Sequence, residues 1–242
     1  MGRTPTALPI SLLVLVLDLG ACVDLAKVDP GPRFIDDFAD GSAPSWNRFG
    51  PWRCNDISGG QKGSPDAGAV DAGGSAPDAA GASTCNLALE NPGDDDKQAL
   101  ESTFTLDDPL DGVREFPGTE IVTRTVSGTV DVTGFTQLVF STILESAAPP
   151  IPALPDATQF LVELGCSAFP SDPLAVQAVS YTLNAGWAEL RLSLSGFTLK
   201  NTSRNQSCLA LLDSIHFVVM PGLADGASTG GTLHIDNISL QN

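Results

Sequence analysis

The chain has 242 residues, with 29 acidic against 12 basic residues and a formal net charge of −17. Such an excess of negative charge disfavours nucleic acids and anionic lipid surfaces as partners, because both are themselves negative. It suits an exported domain that stays soluble and binds divalent cations.

The N-terminus has the layout of a secretory signal peptide. Arg3 precedes a short apolar run, Leu8 to Leu17, which is shorter than a membrane span requires. The following Leu19-Gly20-Ala21-Cys22 resembles a bacterial lipobox, in which the cysteine is lipidated and becomes the new N-terminus. We therefore predict a lipoprotein-type signal peptide over residues 1–21 and a lipid on Cys22.

This interpretation implies a place in the bacterial cell envelope, outside the cytoplasm, at the outer membrane or cell surface. The N-terminal lipid would then be the only link to a membrane. Two alternatives stay open, an ordinary signal peptide cut near Ala21 and a plain apolar N-terminus. Asp18, an acidic residue that directly follows the run Leu8 to Leu17 within the hydrophobic region, slightly favours these alternatives.

The cysteine count agrees with export. Five cysteines are present, and setting Cys22 aside leaves four that can pair completely in an oxidising compartment. Of the three possible connectivities we favour Cys54–Cys85 with Cys166–Cys208, because each pair closes a loop within one half of the chain. A zinc site is disfavoured, since no C-x-x-C spacing occurs and only two histidines are available.

Two irregular segments interrupt the chain. Residues 22–33 form a short tether, and residues 58–83 consist almost wholly of Gly, Ala, Pro, Asp and Ser, a composition that predicts disorder. Cys54 and Cys85 flank the second segment, so a disulfide between them would close the base of a loop. The alternative is a linker between two domains, but residues 34–54 are too few to form one.

The rest of the chain is typical of β-strands. Apolar and polar residues alternate clearly in residues 99–106 and 188–194, and β-branched residues dominate several runs between turn signals. The other predicted strands lie within residues 120–132, 137–144, 159–166, 176–183, 214–220 and 232–240. Because no long helical pattern occurs, we predict one antiparallel β-sandwich or barrel over residues 34–242.

Four stretches, in this order, carry a family resemblance. They are FIDDFADG (34–41), DVTGFTQLVFST (131–142), GWAELRLSLSGF (186–197) and LHIDNISL (233–240). Together they resemble the galactose-binding-like β-jelly-roll of carbohydrate-binding modules attached to bacterial glycoside hydrolases, over residues 34–242. The resemblance implies an all-β antiparallel sandwich and, as an expectation, a glycan-binding role.

The resemblance also implies a structural calcium ion between the first and last strands. Asp36, Asp37, Asp40 and Asp236 stand where such modules carry the oxygen ligands that Ca²⁺ prefers. In the last strand the apolar phase shifts at Asp236-Asn237, which predicts a β-bulge there. The alternative is that Asp37 and Asp40 cap a solvated turn.

Carbohydrate-binding modules hold sugars against aromatic rings, and this chain has few of them, three Trp and one Tyr. Trp46 and Trp52 lie in a Gly/Pro-rich segment and, with Tyr181, are the predicted ligand-binding aromatics. Phe49 lies between the two tryptophans. Trp187 stands at the structural tryptophan position of the family and is therefore expected in the core.

No catalytic motif stands out. The chain lacks G-x-S-x-G, H-E-x-x-H and a Gly-rich phosphate loop, and its histidines, His216 and His234, lie within strand-like runs. We predict a non-catalytic, lipid-anchored module that binds a polysaccharide or surface glycan and no nucleic acid. The alternative is a structural or protein-interaction lipoprotein on the same scaffold without sugar binding.

Overall fold

A computed structural model describes residues 33–38, 48–56, 83–90, 98–107, 118–166, 174–197, 205–223 and 227–242. The predicted signal peptide, Cys22, the tether up to residue 32 and the insertion up to residue 82 lie outside these residues. Those features stay predictions. Within the described residues, no helix is long and apolar enough to cross a bilayer.

The described residues form eleven strands, one short helix and one 3₁₀ turn. The strands are β1 (Arg33–Asp36), β2 (Arg53–Asp56), β3 (Thr84–Glu90), β4 (Ala99–Asp107), β5 (Thr119–Arg124), β6 (Gln137–Ser146), β7 (Gln159–Gly165), β8 (Leu174–Ala178), β9 (Ala188–Ser193), β10 (Ser214–Met220) and β11 (Ser228–Gln241); the 3₁₀ turn is Leu194–Gly196 and helix α1 is Asn205–Ala210.

The strands make two antiparallel sheets. Sheet I has the order β3-β4-β11-β6-β9, with β1 also paired to β11, and sheet II has the order β2-β5-β10-β7-β8. On one edge of β11, β4 pairs along Ser228–Ile235 and β1 along Ile238–Leu240. The predicted all-β, antiparallel β-sandwich is thereby confirmed.

The core lies between the sheets, where alternate residues of every strand meet. Phe140 of sheet I packs edge-on against Phe217 of sheet II, with ring centroids 5.0 Å apart. Phe160 of sheet II approaches Phe140 in the same way, at 6.3 Å. Each buried ring contributes roughly 1.5–3 kcal/mol through removal of apolar surface from water, so these contacts hold the sheets face to face.

Both predicted disulfides are present, Cys54–Cys85 and Cys166–Cys208. The first joins β2 of sheet II to β3 of sheet I, with Cα atoms 5.8 Å apart. The second links the end of β7 to α1, with Cα atoms 5.4 Å apart. The first bridge therefore ties the two sheets together beside the core.

The predicted bulge in the last strand is also confirmed. The register of β11 against β6 shifts between Asp236 and Ser239, and Asn237 has φ = 52°. The shift returns the apolar residues after the bulge to the core side. Leu233, Ile235, Ile238 and Leu240 are all buried.

Some strand boundaries were predicted wrongly. The run 120–132 does not continue as one strand, because β5 ends at Arg124 and a turn follows in which Gly128 has φ = 62°. The run predicted at 176–183 is a strand only from Leu174 to Ala178. Strand alternation did not predict β1, β2 or β3. Strands β1 and β2 have only four residues each, whereas β3 does alternate, with Cys85, Leu87 and Leu89 on its half-buried side, and this signal was missed.

Candidate functional site

The outward side of sheet I is polar and carries the most exposed tryptophan of the described residues. In β11, His234 lies opposite Glu101 of β4 on one side and Ile143 of β6 on the other. Trp187 directly precedes β9, whose first residue, Ala188, pairs with Thr142. The register thus places Glu101, His234, Ile143 and Trp187 in one row across the sheet. With Glu145, these residues are called the Trp187 face.

Trp187 is a surface residue, which corrects the expectation of a core position. Its side chain is 37% exposed. The indole packs edge-to-face on His234, with centroids 6.1 Å apart and an interplanar angle of 64°. The physical reason is strand phase, because Trp187 shares the outward alternation of Glu189 and Arg191, whereas Leu192 points inward.

His234 is flanked by two carboxylates. Its Nδ1 lies 3.7 Å from Glu101 Oε2, and its Nε2 lies 3.6 Å from Glu145 Oε2. Both separations exceed hydrogen-bond range, so neither carboxylate is locked to the ring. The Glu145 side chain is half-exposed, at 50%. The face therefore presents a flat ring beside acceptor oxygens that a ligand can reach.

A pocket of about 270 Å³ opens at the β9 edge of the sandwich, on the inward side of sheet I and so across the sheet from the Trp187 ring. Gly186 and Ala188, the chain neighbours of Trp187, line it together with Ile143, Leu190 and Phe160. Its polar rim comes from hydroxyl side chains, namely Thr142, Ser180, Tyr181 and Thr182. A small cavity with an apolar wall and a few hydroxyls is the kind of site that binds small organic ligands.

Tyr181 is the one predicted ligand-binding aromatic that the structure brings to this pocket. Its hydroxyl donates to the carbonyl oxygen of Thr158 at 2.7 Å, and its ring packs edge-on against Phe160 at 6.0 Å. Burial raises the pKa of the phenol, an effect that the hydrogen bond to Thr158 opposes. Tyr181 is therefore a protonated residue of the pocket lining, held in place by its contacts with Thr158 and Phe160.

Trp52, predicted to contact ligand, is instead a core residue. It is 6% exposed and packs against Phe38 and Phe217, at 6.1 and 6.0 Å between ring centroids. Phe49, which lies in the same segment, is 3% exposed. The Gly/Pro-rich context suggested a surface loop, but burial of these large rings outweighs it. Trp46 lies outside the described residues.

Two of the predicted calcium ligands, Asp36 and Asp236, have other partners. Asp36 is fully buried and accepts hydrogen bonds from Trp52 Nε1 at 2.8 Å and Phe38 N at 2.9 Å. Asp236 accepts from the backbone N of Asn237 at 2.7 Å and from its Nδ2 at 3.1 Å. Asp40 lies outside the described residues, while Asp37 is within them. No group of three or more His, Cys, Asp or Glu suited to a metal occurs among the described residues.

A second polar cluster occupies the outward side of sheet II. His216 Nδ1 is 2.8 Å from Glu120 Oε2, and His216 Nε2 is 2.9 Å from Ser214 Oγ. Asn55 Nδ2 donates to Glu120 Oε1 at 2.8 Å, and Ser214 Oγ donates to Asp213 Oδ1 at 3.0 Å. These five residues are called the His216 network.

The electrostatics of the network follow from its hydrogen bonds. Burial acts to raise the pKa of Glu120, but the hydrogen bond and charge of His216 and the hydrogen bond from Asn55 outweigh it. The net result is a lowered pKa. Glu120 is therefore held as a carboxylate.

The network has the residue types of a nucleophilic triad but not its proton arrangement. A catalytic serine donates its proton to the histidine that activates it. The single hydroxyl proton of Ser214 is directed to Asp213, so His216 Nε2 donates to Ser214. Ser214 is also 1% exposed. Its fit is tight, because a Cβ on Gly165 would overlap its oxygen. The cluster acts as a structural network.

Comparison with known proteins shows similarity at the level of fold. The structure resembles the family 11 carbohydrate-binding module of a cellulosomal cellulase of Clostridium thermocellum, with 15% sequence identity, 88% of this chain and 95% of that chain covered, and a TM-score of 0.51. It also resembles the family 11 carbohydrate-binding module from Clostridium thermocellum in complex with a β-1,3-1,4-mixed-linked tetrasaccharide. That match has 15% sequence identity, covers 88% of this chain and 96% of that chain, and has a TM-score of 0.51. No protein-family model matches the chain, and no curated protein matches it.

Proposed function

We propose that this protein is a non-catalytic carbohydrate-binding module that takes a polysaccharide or surface glycan on the Trp187 face. The observation that carries the proposal is the exposed Trp187 ring, set edge-on against His234 in a polar sheet surface. The similarity of the fold to carbohydrate-binding modules supports it by analogy.

The chemistry of the face suits a sugar. A pyranose ring offers a flat apolar face and a rim of hydroxyls, so it stacks on an indole while its hydroxyls bond to polar groups at the edge. Trp187 supplies the indole, and Glu101 and Glu145 supply acceptor oxygens on either side of His234.

The test is a binding titration of residues 23–242 against a panel of oligosaccharides, including mixed-linked β-glucan, with the variant Trp187→Ala. Loss of the stacked ring should weaken binding by roughly tenfold or more, since a stacked aromatic contributes on the order of 1.4 kcal/mol or above. Val126→Ala is the control, because Val126 is an exposed apolar residue, at 62%, in the turn after β5.

Two outcomes would count against the proposal. If Trp187→Ala and Val126→Ala bind the panel equally well, the glycan does not use the Trp187 face. If the wild-type protein binds no member of the panel, the alternative of a structural or protein-interaction role on this scaffold takes precedence.

We further propose that the module is lipid-anchored outside the cytoplasm. The lipobox-like ending at Cys22 supports this, as do two disulfides, which form in oxidising compartments. Cys22→Ala should move the protein from the membrane fraction to the soluble fraction of the host cell. Unchanged membrane retention would contradict the anchor.

We also propose a structural calcium ion between the first and last strands. The described residues do not by themselves provide a ligand set, so the proposal depends on Asp40 together with Asp36, Asp37 and Asp236. Thermal unfolding with excess calcium should show a stabilisation of about 2.7 kcal/mol at a hundredfold excess over the dissociation constant. Chelator should remove the shift, and Asp236→Ala should abolish it. Equal midpoints with calcium and chelator would refute the site.

A further inference from the structure

We infer that the Trp187 face selects a cationic glycan, one that carries protonated amino groups such as a β-linked glucosamine oligomer. This inference rests on the proposed function and names the class of sugar that the site would take. It follows from the charges around the exposed ring.

The charge around Trp187 is negative in either protonation state of His234. The two carboxylates nearest the imidazole, Glu101 and Glu145, carry two negative charges, and a protonated ring offsets only one of them. Among the described residues, the next cation along this side of the sheet is Arg191. Its guanidinium is engaged with Glu189 and, at 3.2 Å, with Gln241.

A ligand amine would find two complementary groups at once. The face of an indole attracts a cation through its electron-rich ring, and a carboxylate forms a charge-assisted hydrogen bond with an ammonium group. Glu145 is half-exposed and borders the same imidazole on which Trp187 packs. A sugar stacked on Trp187 can therefore present an amine to Glu145.

The same geometry penalises acidic glycans. A uronic acid or sulfate placed on Trp187 would bring its negative charge toward Glu101 and Glu145. In the part of the chain that the structure describes, the nearest arginine on this side of the sheet, Arg191, is already paired with Glu189. Like charges at contact distances repel, and the net charge of −17 extends the repulsion over the whole molecule. A neutral glycan gains the stacking but not the ion pair.

Glu145 is the residue that sets this preference. Its chain neighbours on the same side of β6, Ile143 and Ser141, carry no charge, and Glu101 is more buried, with its side chain 16% exposed against 50% for Glu145. Glu101 Oε1 also accepts a hydrogen bond from Thr103 at 3.1 Å. The outer carboxylate is thus the one that a ligand reaches first.

The experiment compares three ligands at mildly acidic pH and low salt. These are a β-1,4-linked glucosamine oligomer, its N-acetylated counterpart, and a neutral β-glucan oligomer of the same length. Binding to wild type is measured by calorimetry, and we expect the glucosamine oligomer to bind roughly tenfold more tightly than the other two, as for one charge-assisted contact. Salt should weaken this binding selectively.

Glu145→Gln should remove the preference while leaving the neutral glucan unaffected. Asp131→Asn is the matched control, since it removes one exposed charge from the turn that precedes β6, whereas Glu145 lies near the end of that strand. Its amide keeps an oxygen that can accept the hydrogen bonds from Thr133. The control should keep the full preference for the glucosamine oligomer.

The outcomes separate this inference from the proposed function. If neutral and cationic oligomers bind equally and both need Trp187, the function stands and the selectivity is refuted. If Asp131→Asn weakens glucosamine binding as much as Glu145→Gln, the attraction is a general effect of net charge and the inference fails. If no oligomer binds, the proposed function itself fails.

Discussion

The outward surfaces of the two sheets carry the same residue types, histidine and glutamate, in opposite arrangements. Each has a histidine in a central strand with glutamate beside it, His216 with Glu120 on sheet II and His234 with Glu101 and Glu145 on sheet I. In the first, the contacts are hydrogen bonds of 2.8 and 2.9 Å around an imidazole that is 4% exposed. In the second, the carboxylates stand at 3.6 and 3.7 Å, and one is half-exposed.

The difference teaches that residue type does not separate a structural cluster from a binding surface. What separates them is whether the polar groups satisfy each other. The His216 network closes on itself from Asn55 to Asp213, so it offers little to a ligand and stabilises the fold. On the Trp187 face the carboxylate of Glu145 is half-exposed near the exposed Trp187 ring, which is what recognition requires.

The largest expected effect contrasts Glu120→Ala with Glu145→Ala. Removing Glu120 leaves a buried imidazole and the Asn55 amide without their acceptor, which should lower the free energy of unfolding by about 3 kcal/mol. Removing Glu145 from the half-exposed position should change it by less than about 0.5 kcal/mol. Urea denaturation at neutral pH measures both. Similar losses in the two variants would erase the distinction between the surfaces.

An intermediate effect contrasts two tryptophans. Trp52→Phe keeps most of the ring but removes the indole N–H that donates to the buried Asp36 carboxylate, at a cost of about 2 kcal/mol in unfolding free energy. Trp187→Phe, on the surface, should change stability by less than about 0.5 kcal/mol. The urea denaturation midpoints of the two variants, each compared with wild type, measure this difference in stability. A stable Trp52→Phe protein would show that the Asp36 contact contributes little.

The smallest effect is the acid response of the His216 network. The folded-state pKa of Glu120 is lowered, so its contribution to stability is fully present above the ordinary glutamate pKa and is lost as the pH falls through the folded value. The stability gap between wild type and Glu120→Gln should therefore narrow in acid. A pH-independent gap for Glu120→Gln would contradict the lowered pKa.

Much of the fold was predictable because its signals are local. Strand alternation in residues 99–106 and 188–194 predicted β4 and β9, and the phase shift at Asp236-Asn237 predicted the bulge. The disulfide pairs followed from their short separations, 31 and 42 residues. Each of these depends on a few neighbouring residues or on loop length alone.

The candidate site was predicted less well. Tyr181 was named and lines the pocket, whereas Trp52 is buried. Trp187 was assigned to the core from the family resemblance, although the alternation of the strand that follows it indicates the outward side. The local pattern was the better guide, because side-chain direction in a strand is set by the pleat.

The sequence alone determined that this chain is a disulfide-bonded, acidic, antiparallel β-protein with a lipobox-like start, since composition, alternation and cysteine spacing carry that information. Only the tertiary structure decided three contacts. Asp36 accepts a hydrogen bond from Trp52, His216 is buried in contact with Glu120, and His234 packs against Trp187. In the sequence, Asp36 and Trp52 are 16 positions apart, Glu120 and His216 are 96 apart, and Trp187 and His234 are 47 apart. Sheet pairing and core packing bring such distant residues together, and no local pattern encodes which of them will meet.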